Sequence, residues 1–433
     1  MADSALHSKP SALSSKGFMA LFAVQFLGAF NDNLFKNAMI ILIAFQLSQT
    51  HEQTGLYITL AAGLFILPFF LFSSLAGQIA DHYPKTLLIR KIKLAEILIM
   101  LGGAVALLNS SLELLYLTLF LMGAQSAFFG PIKYAILPEM LDDAQLLRGN
   151  GWFSGSTFIA ILLGTIVGGL TVTAEQGVQW VAAGVLLVAV LGYFISFGVP
   201  MTLQQQASLR IDKNLWRSTR EIIASSRTYP AALFAVLAIS WFWFIGAVLL
   251  SQIPTLVKYQ LHANEDVVVA FLTAFSVGIA VGAGLAGWWF KHGVTLRWHT
   301  VLLLLMSVLL ALSVWSADSI QQMLLSTSSL LTLQDYLLLW PQNLALLFMA
   351  LLAVVGGLYI VPLYTQLQQR TEAHARARMV AVNNILNALL MVLSSLAFMA
   401  GFMVGLDLPA MLLAVAVLNV AVAVWFYNNK QEE

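Results

Sequence analysis

The chain contains no cysteine and very little charge. Of its 433 residues, 9% are Asp, Glu, Lys or Arg, against about 25% in an ordinary soluble domain. The absence of cysteine excludes disulfides, thiolate metal sites and a cysteine nucleophile, and leaves the redox compartment open. The basic runs are short and sit at the edges of apolar segments, so a nucleic-acid surface is excluded. The net charge of +1 carries no information about partners. There is no glycine-rich phosphate loop, no metal-ligand spacing and no nucleophile paired with a base. Catalytic residues, metals and cofactors are therefore all expected to be none, and the chain does not read as an enzyme. The seven histidines lie mostly in tails and loops (His7, His51, His82, His262, His292, His299, His374).

Apolar sequence is what the chain has in abundance, with 60% hydrophobic residues. It falls into twelve segments, near 17–48, 54–80, 86–108, 112–135, 150–172, 177–199, 230–259, 266–290, 296–316, 342–369, 377–404 and 408–427. An apolar helix of about 20 residues crosses a bilayer. The first run is far longer than the roughly 7–15 apolar residues of a cleavable signal and lacks a small-residue cleavage site. The linkers sort charge by side. Even-numbered linkers hold Lys85, Arg90, Lys91, Lys93, Arg148, Arg210, Lys213, Arg217, Arg220, Arg227, Lys291, Arg297, Arg370, Arg376 and Arg378, and the tails add Lys9, Lys16 and Lys430. Odd-numbered linkers hold Glu52, Glu113, Glu175, Glu265, Asp266, Asp318, Asp335 and Asp407, with Lys258 the only base. Bases collect in cytoplasmic loops, so both termini are expected in the cytoplasm.

The polar linker 201–229 separates a six-helix bundle in 1–200 from another in 230–433. Its Leu209, Ile211, Leu215 and Trp216 predict an amphipathic helix on the cytoplasmic surface. Met323, Leu324, Leu325, Leu330 and Leu331 predict a short interfacial helix in 317–341. Internal repetition supports the halving. Gly130-Pro131 matches Val361-Pro362, and Gly149-Asn150-Gly151 matches Val382-Asn383-Asn384 at nearly the same offset, as in parallel six-helix repeats. Gly164 with Gly168, and Gly278 with Gly282, permit close helix approach and are candidates for contacts between the halves. The fold class is all-α and polytopic: twelve transmembrane helices in two pseudo-symmetric bundles.

The stretch Gly77-Gln-Ile-Ala-Asp81-His-Tyr-Pro-Lys85, followed by Arg90 and Lys91, resembles the loop between helices 2 and 3 of the major facilitator superfamily. The resemblance implies that Gly77, Asp81, Lys85 and Arg90 act in conformational gating. The glycine allows close packing, and the acid pairs with a base or caps a neighbouring helix. His82 stands where a base is usual and Pro84 where a glycine is usual, and the second-half counterpart Gly287-Trp-Trp-Phe-Lys291 has no acid. A narrower resemblance, to the lysophospholipid transporter family, lies in Gln25-Phe-Leu-Gly-Ala-Phe-Asn-Asp32-Asn33, in Gly130-Pro131-Ile-Lys133-Tyr134, in Leu137-Pro-Glu139 and in Asn150-Gly151. It implies movement of lysophosphatidylethanolamine-type lipids across the bacterial inner membrane for reacylation. Similar membrane domains occur fused to an acyltransferase and an acyl-ACP synthetase. With the chain ending at Glu433 no such domain is expected here, which leaves a separate cytoplasmic acyltransferase or synthetase as a possible partner of a monomer among membrane lipids. The segment Ser240–Gln252 is closer to the fused type and lacks an arginine expected near position 250.

Charge inside the membrane is costly, so Asp32, Lys36, Glu96, Lys133 and Glu139 stand out. Asp32 and Lys36 share one helix face. Asp32 can receive an ammonium and Lys36 or Lys133 a phosphate; the alternative is a self-neutralising Asp32–Lys36 pair. Lys133 could instead snorkel to the interface, and Glu139 could pair with Lys133 or Arg148. Glu96 has only Lys93 nearby and is either a proton-coupling group or a structural hydrogen-bond partner. Gln25, Asn33 and Asn150 are further substrate candidates. Asn383, Asn384 and Asn387 could offer amides, although asparagines near helix starts are often caps. Among Trp241, Phe242, Trp243 and Phe244, some could line an acyl slot. The sequence thus favours a lysophospholipid transporter or flippase. A proton-coupled exporter of hydrophobic drugs is the alternative, and a membrane anchor for an acyltransferase would have no use for buried charge.

Overall fold

The computed structural model describes residues 13, 15–47, 51–202, 211–290, 296–324 and 330–428. His7, Lys9, Leu209, Arg210, Lys291, His292, Leu325 and Lys430 lie outside the described residues. The N-terminal half comprises α1 (Lys16–Leu42), α2 (His51–His82), α3 (Lys85–Leu108), α4 (Leu112–Ala135), the short α5 (Leu137–Met140), α6 (Asp143–Val172) and α7 (Gly177–Ser196). A linker helix, α8 (Leu215–Ser226), follows. The C-terminal half comprises α9 (Pro230–Thr255), α10 (Glu265–Trp289), α11 (Leu296–Leu324), the short α12 (Leu333–Leu338), α13 (Leu344–Gln369), α14 (Arg376–Met403) and α15 (Leu408–Asn428). Eleven helices are long and apolar enough to cross a membrane among the described residues. The long helix α3 falls outside that set because Lys91, Lys93 and Glu96 interrupt even its apolar part; it packs between α4 and α7.

The two halves repeat one packing scheme. In the first, α1 packs on α6, α2 on α4 and α3 on α7; in the second, α9 packs on α14, α10 on α13 and α11 on α15. The first helix of each half also ends in a π-helical turn, Ile43–Leu47 and Leu256–Gln260. The glycine pairs serve this internal packing rather than the expected contact between halves. Gly164 and Gly168 bring α6 onto the backbone of Phe30 and Leu34, and Gly278 and Gly282 bring α10 onto Ala350 and Val354. Glycine lets two backbones approach where any side chain would separate them.

Different glycines join the halves, through α2 on α14 and α6 on α10. A Cβ at Gly77 would lie 2.7 Å from the Ala381 Cβ; one at Gly151 would lie 2.5 Å from the Ala283 carbonyl; Gly287 packs against the Arg148 backbone. All of these sit near the end of α2, the start of α6, the end of α10 and the start of α14, which is one face of the molecule. The halves are therefore clamped together at that face.

Three elements differ from the sequence reading. Helix α6 begins at Asp143 rather than near 150, because the Asp142 carboxylate accepts from the Gln145 N–H (3.0 Å) and caps it. Helix α11 runs on to Leu324. The short helix expected nearby lies later, at Leu333–Leu338, where Thr332 and Asp335 form a capping box. In the linker, α8 is amphipathic, with Ser218 and Ile222 buried. Its Ser218 hydroxyl bonds to Ser74 and Gln78 of α2. Trp216 is 71% exposed, with its ring edge against Phe70.

The absence of native cysteine gives a direct check on the clamp. A Cβ at Gly155 would sit 3.7 Å from the Ala283 Cβ, inside the range of about 3.5–4.5 Å that a disulfide requires. The pair Gly155→Cys with Ala283→Cys is expected to lose both free thiols under mild oxidation, measured by maleimide labelling. Persistent labelling would contradict the contact.

Candidate functional site

Between the halves lies a cavity of about 410 Å³. Helical periodicity builds its walls, since residues three and four apart share a face. On α1 the stripe is Gln25, Gly28, Ala29, Asp32, Asn33 and Lys36; on α4 it is Gln125, Ser126, Phe129, Gly130, Lys133 and Tyr134. Lys93 of α3 and Thr157 of α6 complete the polar wall. On α2 the stripe is Phe65, Ile66 and Phe69, and on α14 it is Asn384, Asn387, Ala388 and Met391, with Trp243 of α9 and Tyr364 of α13. Every charged lining residue belongs to the N-terminal half.

No ion pair within salt-bridge distance joins the Asp32 carboxylate to Lys36 among the described residues, although the two charges lie close enough to act on each other. The carboxylate accepts from the Ser126 hydroxyl at 2.8 Å, with Gln125 Oε1 also 3.2 Å from that hydroxyl. Gln125 Nε2 donates on to Glu96 Oε2 (3.2 Å). Glu96 is buried, paired with Lys93 Nζ at 2.6 Å, and its other oxygen accepts from Asn31 Nδ2 at 3.2 Å. Glu96 thus has three partners on three helices where the sequence offered only Lys93. Lys36 Nζ stands 4.3 Å from the centre of the Phe65 ring, Lys133 Nζ 5.1 Å from that of Tyr134, and Lys93 Nζ 5.5 Å from that of Phe129. Lys36 and Lys133 therefore reach the cavity as cations held over aromatic faces with no carboxylate paired to either. Lys133 faces the cavity rather than snorkelling to an interface.

Gln25 is fixed by Thr157 and Ser156 (2.5 and 3.0 Å). Asn33 Nδ2 donates to the Ala29 carbonyl at 2.7 Å. Two expected substrate residues lie elsewhere. Glu139 is paired with Lys85, at 2.6 Å, and not with Lys133 or Arg148; it does not line the cavity. Asn150 is fully buried under the cavity, where its Nδ2 donates to Thr365 Oγ1 (3.1 Å) and Gln368 Oε1 (2.6 Å) of α13. It joins the halves. Asn383 is buried outside the lining.

The cavity is closed on the clamped face. Tyr134 and Tyr364, one from each half, stack with ring centres 4.2 Å apart. Gln368 Nε2 also donates to the Tyr134 carbonyl at 2.9 Å. Beyond them Asp81, wholly buried, accepts from the N–H groups of Ala377 (3.0 Å) and Arg378 (3.1 Å) and from Arg378 Nε (3.0 Å). One carboxylate thus caps the start of α14 and pairs with its arginine, a placement the helix dipole favours. Lys85 holds Glu139, and Arg90 lies over the Phe197 ring at 5.0 Å; both contacts stay within the N-terminal half. Gly77 and Asp81 touch the opposite half. The Tyr134–Tyr364 stack and the Gln125–Ser126 link were not anticipated. The one available signal was their position on the same stripe of α4 as Lys133, Tyr134 next to it and Gln125 and Ser126 two turns before it.

Two pseudo-symmetric helical bundles around a cavity with one charged wall, closed at one face, define a membrane carrier. The chain belongs to the Major Facilitator Superfamily, whose family model matches residues 21–395. It is 28% identical to a lysophospholipid transporter LplT of Cronobacter sakazakii over 98% of this chain and 99% of that one. It is 29% identical to the protein of that name in Escherichia coli, over 97% and 98%. Among solved structures it is similar to the transporter FucP in its outward conformation (TM-score 0.71, 12% identity, covering 96% of this chain and 99% of that chain). It is also similar to a bacterial homologue of the iron transporter ferroportin (TM-score 0.67, 14% identity, 95% and 99%). These structures show the fold.

Removing one partner of a buried ion pair strands the other charge, at a cost of about 3–5 kcal/mol. Glu96→Gln is accordingly expected to lower the Tm of the detergent-solubilised protein markedly, and adding Lys93→Met to recover most of that loss. An equal loss in the double variant would contradict the pairing.

Proposed function

We propose that this chain carries lysophospholipids of the lysophosphatidylethanolamine type across the bacterial inner membrane, with both termini in the cytoplasm. The observation that carries this reading is the distribution of polarity in one cavity. One carboxylate, Asp32, and two cations, Lys36 and Lys133, sit on α1 and α4 with no salt bridge among them in the described residues, while α2 and the outer part of α14 present Phe65, Ile66, Phe69, Ala388 and Met391. A zwitterionic headgroup on an acyl tail has the same division. Asp32 takes the ammonium, and Lys133 or Lys36 takes the phosphate by charge-assisted hydrogen bonds. The tail lies along the apolar faces of α2 and α14, which also gives it a sideways route to the bilayer.

The full-length similarity to lysophospholipid transporters supports the same reading. The cation excess beside Asp32 speaks against an exporter of cationic drugs, because two lysines would repel such a cargo. The halves correspond to 1–200 and 230–433, joined by 201–229. The protein works as a monomer without catalysis of its own, and a separate cytoplasmic acyltransferase or acyl-ACP synthetase traps the delivered lipid by reacylation. The closed face is the cytoplasmic one, and Gly77 with Asp81 forms the part of the gate that must open to release the lipid there.

Liposomes holding the purified protein are expected to take up labelled lysophosphatidylethanolamine saturably. A hydrogen bond to a charged group contributes about 1.5–3 kcal/mol, so Asp32→Asn and Lys133→Ala should each reduce uptake by about tenfold or more while the protein stays folded. An Asp32→Asn variant with full activity would remove the headgroup from α1. Movement of a drug-like cation against a proton gradient, with no lipid uptake, would assign the cavity to export.

A further inference from the structure

The charged groups of the cavity all belong to one half, yet the two halves must respond together to cargo. A ligand shifts a conformational equilibrium only through contacts that differ between the two states. Cargo held by α1 and α4 alone would ride with the N-terminal half and leave the other indifferent. The C-terminal half offers two amides to the cavity, Asn384 and Asn387 of α14. Asn387 is anchored through its oxygen, which accepts from the Ser240 hydroxyl of α9 at 2.7 Å. The side-chain nitrogen of Asn384 is buried and has no hydrogen-bond partner.

Such a donor is costly unless an acceptor arrives. Its location indicates which acceptor. Asn384 Nδ2 faces Gly130 across the junction of the halves, so closely that a Cβ at Gly130 would lie 2.6 Å from it. Lys133 is one turn further along the same stripe of α4. Asn384 and Lys133 thus line the same end of the cavity from opposite halves, and an amide N–H and an ammonium can only donate. Two donors converging from opposite halves, one of them cationic, match an anion with several oxygens better than a neutral hydroxyl.

We propose that Asn384 is the contact of the C-terminal half to the phosphodiester group of the cargo, donating to the phosphate that Lys133 holds from the other side, with Gly130 required to leave the amide room. This rests on the lysophospholipid reading and adds a specificity determinant to it. Bridging by one phosphate ties α4 to α14, the helix whose start is capped by Asp81 in the closed gate.

The test is the KM for lysophosphatidylethanolamine uptake into liposomes by the full chain and by Asn384→Ala, Asn384→Asp and Gly130→Ala, with monoacylglycerol as a phosphate-free competitor. Asn384→Ala is expected to raise KM about tenfold. Asn384→Asp, which sets a carboxylate against the phosphate, should raise it further. Gly130→Ala should reproduce the effect of Asn384→Ala by displacing the amide without altering it, which keeps the proposal testable if Asn384→Ala fails to fold. Inhibition by monoacylglycerol should be the same in all four proteins, a separation that a purely structural defect would not give. Unchanged KM in Asn384→Ala and Gly130→Ala, with normal uptake by the unaltered protein, would overturn the inference alone. No uptake by the unaltered protein would overturn the reading beneath it.

Discussion

An ionised side chain within the bilayer costs at least about 2.5–3.5 kcal/mol on insertion scales, and the N-terminal half is organised around meeting that cost. Glu96 and Lys93 neutralise one another at 2.6 Å, and Asn31 and Gln125 satisfy the remaining carboxylate capacity. Asp81 is satisfied by the start of α14 and its arginine. Lys85 is satisfied by Glu139. After this neutralisation, Asp32, Lys36 and Lys133 are left facing the cavity, and no salt bridge ties any of them to an opposite charge among the described residues. The hydrogen-bond series from Glu96 through Gln125 and Ser126 to Asp32 orients the carboxylate toward the space where cargo would lie.

The same constraint accounts for the asymmetry between halves that share one packing scheme. The second half repeats the helix pairings and the π-helical turns but carries no charge into the cavity. It supplies aromatic rings, two amides and an apolar face. The charged wall is thus confined to one half, whereas the apolar wall is shared by α2 of the first half and α14 of the second. The contact between the halves is similarly one-sided: the Asp81 arrangement on α2 and α14 has no acidic counterpart at Gly287 on α10, which packs against Arg148.

How much of this was legible in the sequence depended on whether the information was local. The apolar segments follow from hydropathy and the shared face of Asp32 and Lys36 from helical periodicity; the structure has eleven candidate spans among the described residues and sets both side chains in one cavity. The start of α6 was misjudged because the cap at Asp142 lies in a polar stretch that reads as a loop. Partners across helices were not legible at all. Nothing near Asp32 in sequence points to Ser126, nothing near Glu139 points to Lys85, and Asn150 looks like a headgroup amide until α13 is placed against it. The glycine pairs show the same limit. Gly164 and Gly168 announce a close approach but not to which helix, and the partner is α1 of the same half. The Asp81 motif was legible because its resemblance carried a three-dimensional relation that the residues alone do not.

The central claim is that one amphiphile spans the cavity with its charged end on α1 and α4 and its tail between α2 and α14. A structure of the protein with lysophosphatidylethanolamine bound would test it most directly. The account predicts an ammonium within hydrogen-bond distance of Asp32, a phosphate against Lys133, and tail density along Phe65, Phe69 and Met391. A headgroup outside the cavity, or a tail buried among α1 and α4 with the phosphate against α2, would contradict it.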